Sequence, residues 1–269
     1  MSGPPPPGAA VAPPAGLPPL KRFARWAEMV LIFFGLPLLV ALLLDPNERL
    51  RPWFEANGGG EIFNSARTAA GMVIPLLVAF TLIVLVFLLT DPTFPKRRLW
   101  NAGRAKRELK RVLVQFLVAA PALLAVAWVL AAYTGVMTTT NPDGSTRNAF
   151  LYLPRNMPWV LVFIGIGYPV FSAYPQEITH RAFFFHRYRA LFPSDTALIL
   201  VNALAFAWLH IPFWSVEALL LTLPGGLLFA WTYRRSESTL AAGIEHALYG
   251  WWAFFTGLGW FVFTGSIGT

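Results

Sequence analysis

The feature that most narrows the folds open to this chain is a succession of apolar runs, each long enough to cross a bilayer and each separated from the next by polar turns. An α-helix rises about 1.5 Å per residue, so a hydrocarbon layer of about 30 Å needs roughly 20 apolar residues. Such runs stand at about Glu28–Leu44, Ala70–Thr90, Val112–Val136, Thr196–Pro212, Ser215–Tyr233 and Thr239–Trp260. From Pro158 to Phe192 the chain stays helix-compatible for about 50 Å, too long for one straight crossing. Pro169 and Pro175 supply the break in that stretch, since proline removes a backbone donor and crowds the preceding turn. The pattern predicts an all-α polytopic transmembrane bundle of about seven spans. Composition agrees, with 56% hydrophobic and only 13% charged residues.

The charges lie where a membrane protein puts them. A net charge of +8 and a pI near 10.2 suggest nucleic acid at first sight. The basic residues, however, cluster at 21–25, 96–111, 187–189 and 234–235, between apolar runs, which is the positive-inside pattern and excludes nucleic acid as a partner. Seven spans would bring all four clusters to the cytoplasmic side with the N-terminus, and leave the C-terminus outside. The segment 104–111 suits a basic interfacial helix against anionic membrane lipid or a plain topogenic loop. Residues 1–20 form a Pro/Gly/Ala tail too poor in large side chains to pack, and the sequence predicts disorder there. Asp45–Ala69 and Thr138–Met157 read as loops on the far side. Three regions follow: the tail at 1–20, N-terminal membrane helices at 21–157, and a helical core at 158–269.

Several catalytic classes drop out on motif grounds. With no cysteine there is neither a thiol nucleophile nor a thiolate metal site. Asn141-Pro142-Asp143-Gly144 is turn chemistry, and the chain has no His-Glu-x-x-His pair, no Gly-x-Ser-x-Gly serine elbow and no Gly-x-Gly-Asp motif.

What remains is a set of polar residues inside apolar runs. Glu177 and Arg181 are four apart, so on a helix they share one face and can pair. A charge at membrane depth costs roughly 2.5–3.5 kcal/mol unpaired, which marks a functional site unless the pair is a structural one at a helix end. The turn Phe192-Pro193-Ser194-Asp195 should join two antiparallel helices. Glu177 and His210 then sit at equal depth, roughly 22 Å from that turn, and His246 follows the basic turn Arg234-Arg235 by about 16 Å of helix. A carboxylate, a guanidinium and imidazoles thus reach one layer.

Gln176-Glu177-x-x-x-Arg181, then Phe206-x-x-x-His210, then His246 in the last helix resembles the three-motif pattern of the CAAX prenyl endopeptidase and bacteriocin-processing (CPBP, or Abi) family of intramembrane proteases, over about Pro158–Trp260. The resemblance implies an endopeptidase acting on a membrane-associated or lipidated peptide, in a multi-pass protein of a bacterial plasma membrane. It assigns Gln176 to the place of the family's first glutamate, which with the second-motif histidine activates water. Glu177 falls on the second glutamate, which supports Arg181 and His210; His246 falls on the third-motif histidine, and Gly250 stands where the family has asparagine. Gln176 can orient a water but cannot take its proton, and Gly250 offers no side-chain donor to an oxyanion. Three readings follow: a peptidase with Glu177 or His210 as base, an inactive member that binds membrane peptides, and a transporter or lipid-handling protein with a polar midplane site. Glu177, His210 and His246 also offer the three ligands of an open catalytic zinc site, and the same groups suit metal-free water activation.

Overall fold

The computed structural model of the chain describes residues 17–140 and 143–263. Most of the expected tail at 1–20, and Asn141-Pro142 of the turn motif, lie outside the described residues. The described chain is a helical bundle with one short antiparallel hairpin, β1 (Thr138–Thr140) against β2 (Thr146–Asn148). The helices are α1 (Pro19–Leu43), α2 (Arg51–Ala56), α3 (Gly60–Gly71), α4 (Val73–Thr90), α5 (Ala102–Tyr133), α6 (Tyr152–Asn156), α7 (Pro158–Leu191), α8 (Asp195–Trp208), α9 (Val216–Ser236) and α10 (Thr239–Thr256).

Local chemistry sets the helix starts. The side chains of Ser194, Ser215 and Ser238 each accept from the backbone N–H three residues on, at 3.1, 3.1 and 3.3 Å, and cap α8, α9 and α10. Asn101 does the same for α5, and proline occupies the first turn of α1, α2 and α7, where its missing N–H is harmless.

Six stretches are long and apolar enough to cross a membrane: α1, α4, Lys96–Tyr133, α7, Asp195–Phe213 and α9. Their outer faces carry side chains such as Ile83, Leu117 and Phe163, each more than two-thirds exposed, a surface that calls for lipid. The expected seventh span, about Thr239–Trp260, forms a helix, α10, but is not among the six, being less apolar because it carries Glu245, His246, two threonines and Trp251-Trp252. It packs against α5, α7 and α9, and none of its residues is exposed, so protein supplies the surroundings that lipid gives the others.

Two expectations change. Asp45–Ala69 is not a loop: it folds into α2 and α3, with Pro52 in the first turn of α2, a reversal at Gly58 (φ 72°), and Phe63 fully buried. The basic segment 104–111 is continuous with the span that follows it, and Arg104 and Arg111 turn toward protein while Arg107 stays exposed. Arg104 meets Glu237 at 2.5 Å, Arg98 meets the same carboxylate, and Arg111 reaches Thr232 Oγ1 at 2.7 Å.

All four basic clusters meet at one end of the bundle. Arg25 donates to Arg187 O (3.2 Å), Arg187 pairs with Glu28 (2.6 Å), and Asp195 holds Arg234 (2.6 Å) and Arg189 (3.2 Å). The hairpin, α6 and the C-terminus of α10 lie at the other end, where Leu151 N donates to Thr256 O at 3.2 Å.

Candidate functional site

The site is built on α7, and its prolines determine how. Instead of breaking, the helix widens into π turns at Pro169–Ala173 and Ile178–Phe183, on either side of Tyr174–Glu177. Wide turns of this kind take up the strain of a missing donor and reset which residues share a face. The carbonyl of Pro175 is bonded by Thr179 Oγ1 (3.3 Å) and, from α4, by Thr81 Oγ1 (3.4 Å). Two adjacent faces result.

The inner face is a buried polar network in which Glu177 Oε2 and Arg181 Nε pair by charge without a hydrogen bond between them. Glu177 Oε2 lies 3.1 Å from Arg181 Nε, and both side chains are fully buried. Glu177 Oε1 lies 2.9 Å from His246 Nδ1, and His246 Nε2 lies 2.9 Å from the Tyr168 hydroxyl. Arg181 Nη1 donates to Asn202 Oδ1 (2.6 Å), and Asn202 Nδ2 in turn donates to His180 O (2.6 Å), tying α8 to α7. The guanidinium carbon sits 4.9 Å over the Phe206 ring, a cation–π contact of a fully buried side chain. Neutralised and hydrogen-bonded on several sides, the pair meets the conditions under which charge is tolerated at this depth.

The outer face of the same helix lines a cavity of about 720 Å³. Its walls are mostly apolar and come from α1, α4, α7 and the turn after α8; Gln176, Thr179, His180, His210 and Tyr168 form a polar end. Gln176 Nε2 donates to Ser172 Oγ (3.0 Å), whereas its buried Oε1 has no partner. His210 Nδ1 is bonded to Phe206 O (2.9 Å), and His180 Nδ1 to Gln176 O (3.2 Å) and Thr179 Oγ1 (3.0 Å).

The residues expected from sequence are thus brought together in two groups. Glu177, Arg181 and His246 are in direct contact; Gln176 and His210 face the cavity. The equal-depth argument brought His210 to the right layer, but it is His246 that bonds the Glu177 carboxylate. His210 packs against Phe206, whose ring centre lies 5.3 Å from the rings of both His210 and His246 and 5.5 Å from that of His180. Sequence reasoning passed over His180, although it follows Gln176 by one helical turn, and over Tyr168 and Asn202, which carry no spacing signal.

The zinc set Glu177, His210 and His246 does not fit this geometry. Glu177 Oε1 is bonded to His246 and Oε2 lies in the ion pair with Arg181, both His246 nitrogens are engaged, and His210 Nδ1 is bonded to Phe206 O. Among the described residues no group of three His, Cys, Asp or Glu side chains is placed to hold a metal ion. Gly250 has a clear physical role: a Cβ there would fall 2.3 Å from the Tyr168 hydroxyl, so only glycine leaves room for the tyrosine that bonds His246.

No curated protein and no solved structure matches the chain. Residues 157–252 match the family model described as type II CAAX prenyl endopeptidase Rce1-like. That stretch, which is similar to the family and spans about a third of the chain, holds Gln176, Glu177, Arg181, His210 and His246.

Proposed function

We propose that the chain is an intramembrane endopeptidase that hydrolyses a membrane-associated or lipidated peptide whose apolar part lies in the cavity. The observation that carries this reading is the pairing, on one cavity wall, of an unpartnered amide oxygen on Gln176 with the histidine His210. Gln176 Oε1 accepts one hydrogen of a water and orients it. His210 Nε2 accepts the other as general base, its Nδ1 being fixed on Phe206 O. The water oxygen bonds to the scissile carbonyl carbon as the C=O electron pair moves to oxygen. Collapse of that intermediate breaks the C–N bond, and His210 returns the proton to the leaving amine. Glu177 is fully buried and held by Arg181 and His246, so it positions His246 and Arg181 and does not act as the base. His246 faces Glu177 and Tyr168 rather than the cavity, which removes it as a direct oxyanion donor. The basic end of the bundle is the cytoplasmic one.

A non-hydrolytic binder is favoured by one fact, the amide in place of an acid at Gln176. The test is turnover of fluorogenic lipidated and unlipidated peptides by purified protein. We expect hydrolysis by the wild type, and a loss of about 10²–10⁴ in kcat for His210→Ala with peptide affinity little changed. A folded wild type that binds these peptides without cleaving any of them overturns the peptidase reading.

A further inference from the structure

The hydrogen-bond polarity of the cavity's end can be worked out atom by atom. A backbone carbonyl only accepts, so His210 Nδ1, on Phe206 O, carries a hydrogen; in the neutral ring Nε2 is then an acceptor. The same holds for His180, whose Nδ1 faces Gln176 O. Thr179 does not alter this, because its hydroxyl hydrogen goes to the Gln176 or Pro175 carbonyl. A carboxylate beside Arg181 also only accepts, so His246 Nδ1 donates to Glu177, and in a neutral ring its Nε2 accepts. The Tyr168 hydroxyl then gives its hydrogen to His246, leaving oxygen lone pairs for the cavity it lines. Gln176 spends an amide hydrogen on Ser172 and leaves Oε1, 93% buried as a residue and without a partner. Gln176 Oε1, His180 Nε2, His210 Nε2 and Tyr168 Oη are all acceptors. Among the described polar side chains lining the cavity, only the Ser172 hydroxyl and the second amide hydrogen of Gln176 are uncommitted hydrogens.

An end with four acceptors against two uncommitted hydrogens, beneath apolar walls, has a definite preference. Buried acceptors left without donors cost about 1–3 kcal/mol each, so an occupant must bring hydrogens. A single water satisfies two of them. We infer that this end selects an apolar-tailed molecule whose head is rich in N–H donors, an amide or a primary ammonium, over anionic heads and cationic heads without hydrogens. The inference concerns binding and holds whether or not a peptide is cleaved; if the peptidase reading also holds, His180 and Tyr168 are the acceptors left for the N–H groups of the substrate.

The experiment uses the full chain in nanodiscs and four probes with one tail: dodecylammonium, N-dodecylacetamide, dodecyltrimethylammonium and dodecyl sulfate. Each competes against a solvatochromic alkyl reporter seated in the cavity. Dodecylammonium and N-dodecylacetamide should bind at least about tenfold more tightly than the other two. Tyr168→Phe and His180→Phe each remove one acceptor while keeping a ring, and each should reduce that preference about threefold to tenfold with trimethylammonium binding unchanged. Tyr168→Phe is the check should His180→Phe fold poorly.

Equal binding of dodecylammonium and dodecyltrimethylammonium, tightest binding of the sulfate, or no binding of any probe overturns the inference. Head selectivity without peptide cleavage keeps it and removes the peptidase reading, and cleavage without head selectivity does the reverse.

Discussion

At the scale of single residues, Glu177 and Arg181 show how much a spacing of four can reveal. The helical face they share was legible because it depends only on local geometry, and both are fully buried as a pair. His246 as partner of Glu177, and Tyr168 as partner of His246, were not legible, since those contacts close over 69 and 78 residues of chain. Glu177→Ala strands Arg181 without its counter-charge and should cost about 3–5 kcal/mol. The double change Glu177→Ala with Arg181→Ala should recover part of that, giving a positive coupling in thermal unfolding of detergent-solubilised protein. Additive losses in the two single variants would mean that Asn202 and Phe206, not Glu177, hold the guanidinium. Tyr168 against Gly250 sets a second test. Gly250→Ala places a methyl 2.3 Å from the tyrosine hydroxyl and should destabilise by about 1–3 kcal/mol by displacing the ring. Combining it with Tyr168→Ala should relieve most of the strain, and an unfolding midpoint unmoved by Gly250→Ala alone would refute the packing argument.

Among the elements, hydropathy located the spans well because length and apolar content are additive along a helix. It was weaker where tertiary context decides. α10 carries Glu245 and His246 because protein surrounds it, whereas Asp45–Ala69, polar enough to read as a loop, folds into two helices around the buried Phe63. The two prolines of α7 were legible as an interruption, but the form it takes was not. Sequence shows a missing donor, not that π turns and two threonine hydroxyls, Thr81 and Thr179, absorb it. Where α8 and α9 touch, a Cβ on Gly226 would meet Ala203 O and Phe206 at 3.1 Å, so glycine there lets the two helices approach.

For the molecule as a whole, the gathering of basic clusters at one end sets up two predictions. Single cysteines at positions 104 and 145, in a chain with none of its own, should react with impermeant maleimide from opposite sides of a sealed vesicle. Reaction of both from one side would contradict the bundle's polarity. The same end should also be acid-sensitive through Asp91, in the turn after α4. Hydrogen bonds from the Thr93 hydroxyl (2.7 Å) and then from His186 (2.9 Å) hold its carboxyl well below the ordinary carboxylate range. A depressed folded value means stabilisation that is complete above the unfolded pKa, about 4, and is lost as pH falls through the folded one. The gap in unfolding midpoint between wild type and Asp91→Asn should therefore be full at pH 5 to 6 and shrink as pH drops below about 4. A gap independent of pH would remove Asp91 from that account.

The cavity wall that α1 supplies bears on how this protein can be taken apart. Phe33 lies edge-on to His180 at 5.1 Å, and Trp208 and Trp214 donate to the Phe34 and Ala41 carbonyls at 2.9 Å, while Thr81 of α4 reaches Pro175. All four of those partners lie in the N-terminal half, outside residues 157–252. The stretch similar to a known family and the pocket therefore divide the chain differently. A fragment cut to residues 157–252 would keep every motif residue and lose one side of its pocket, so grafting or minimising this protein has to follow the walls and not the motif.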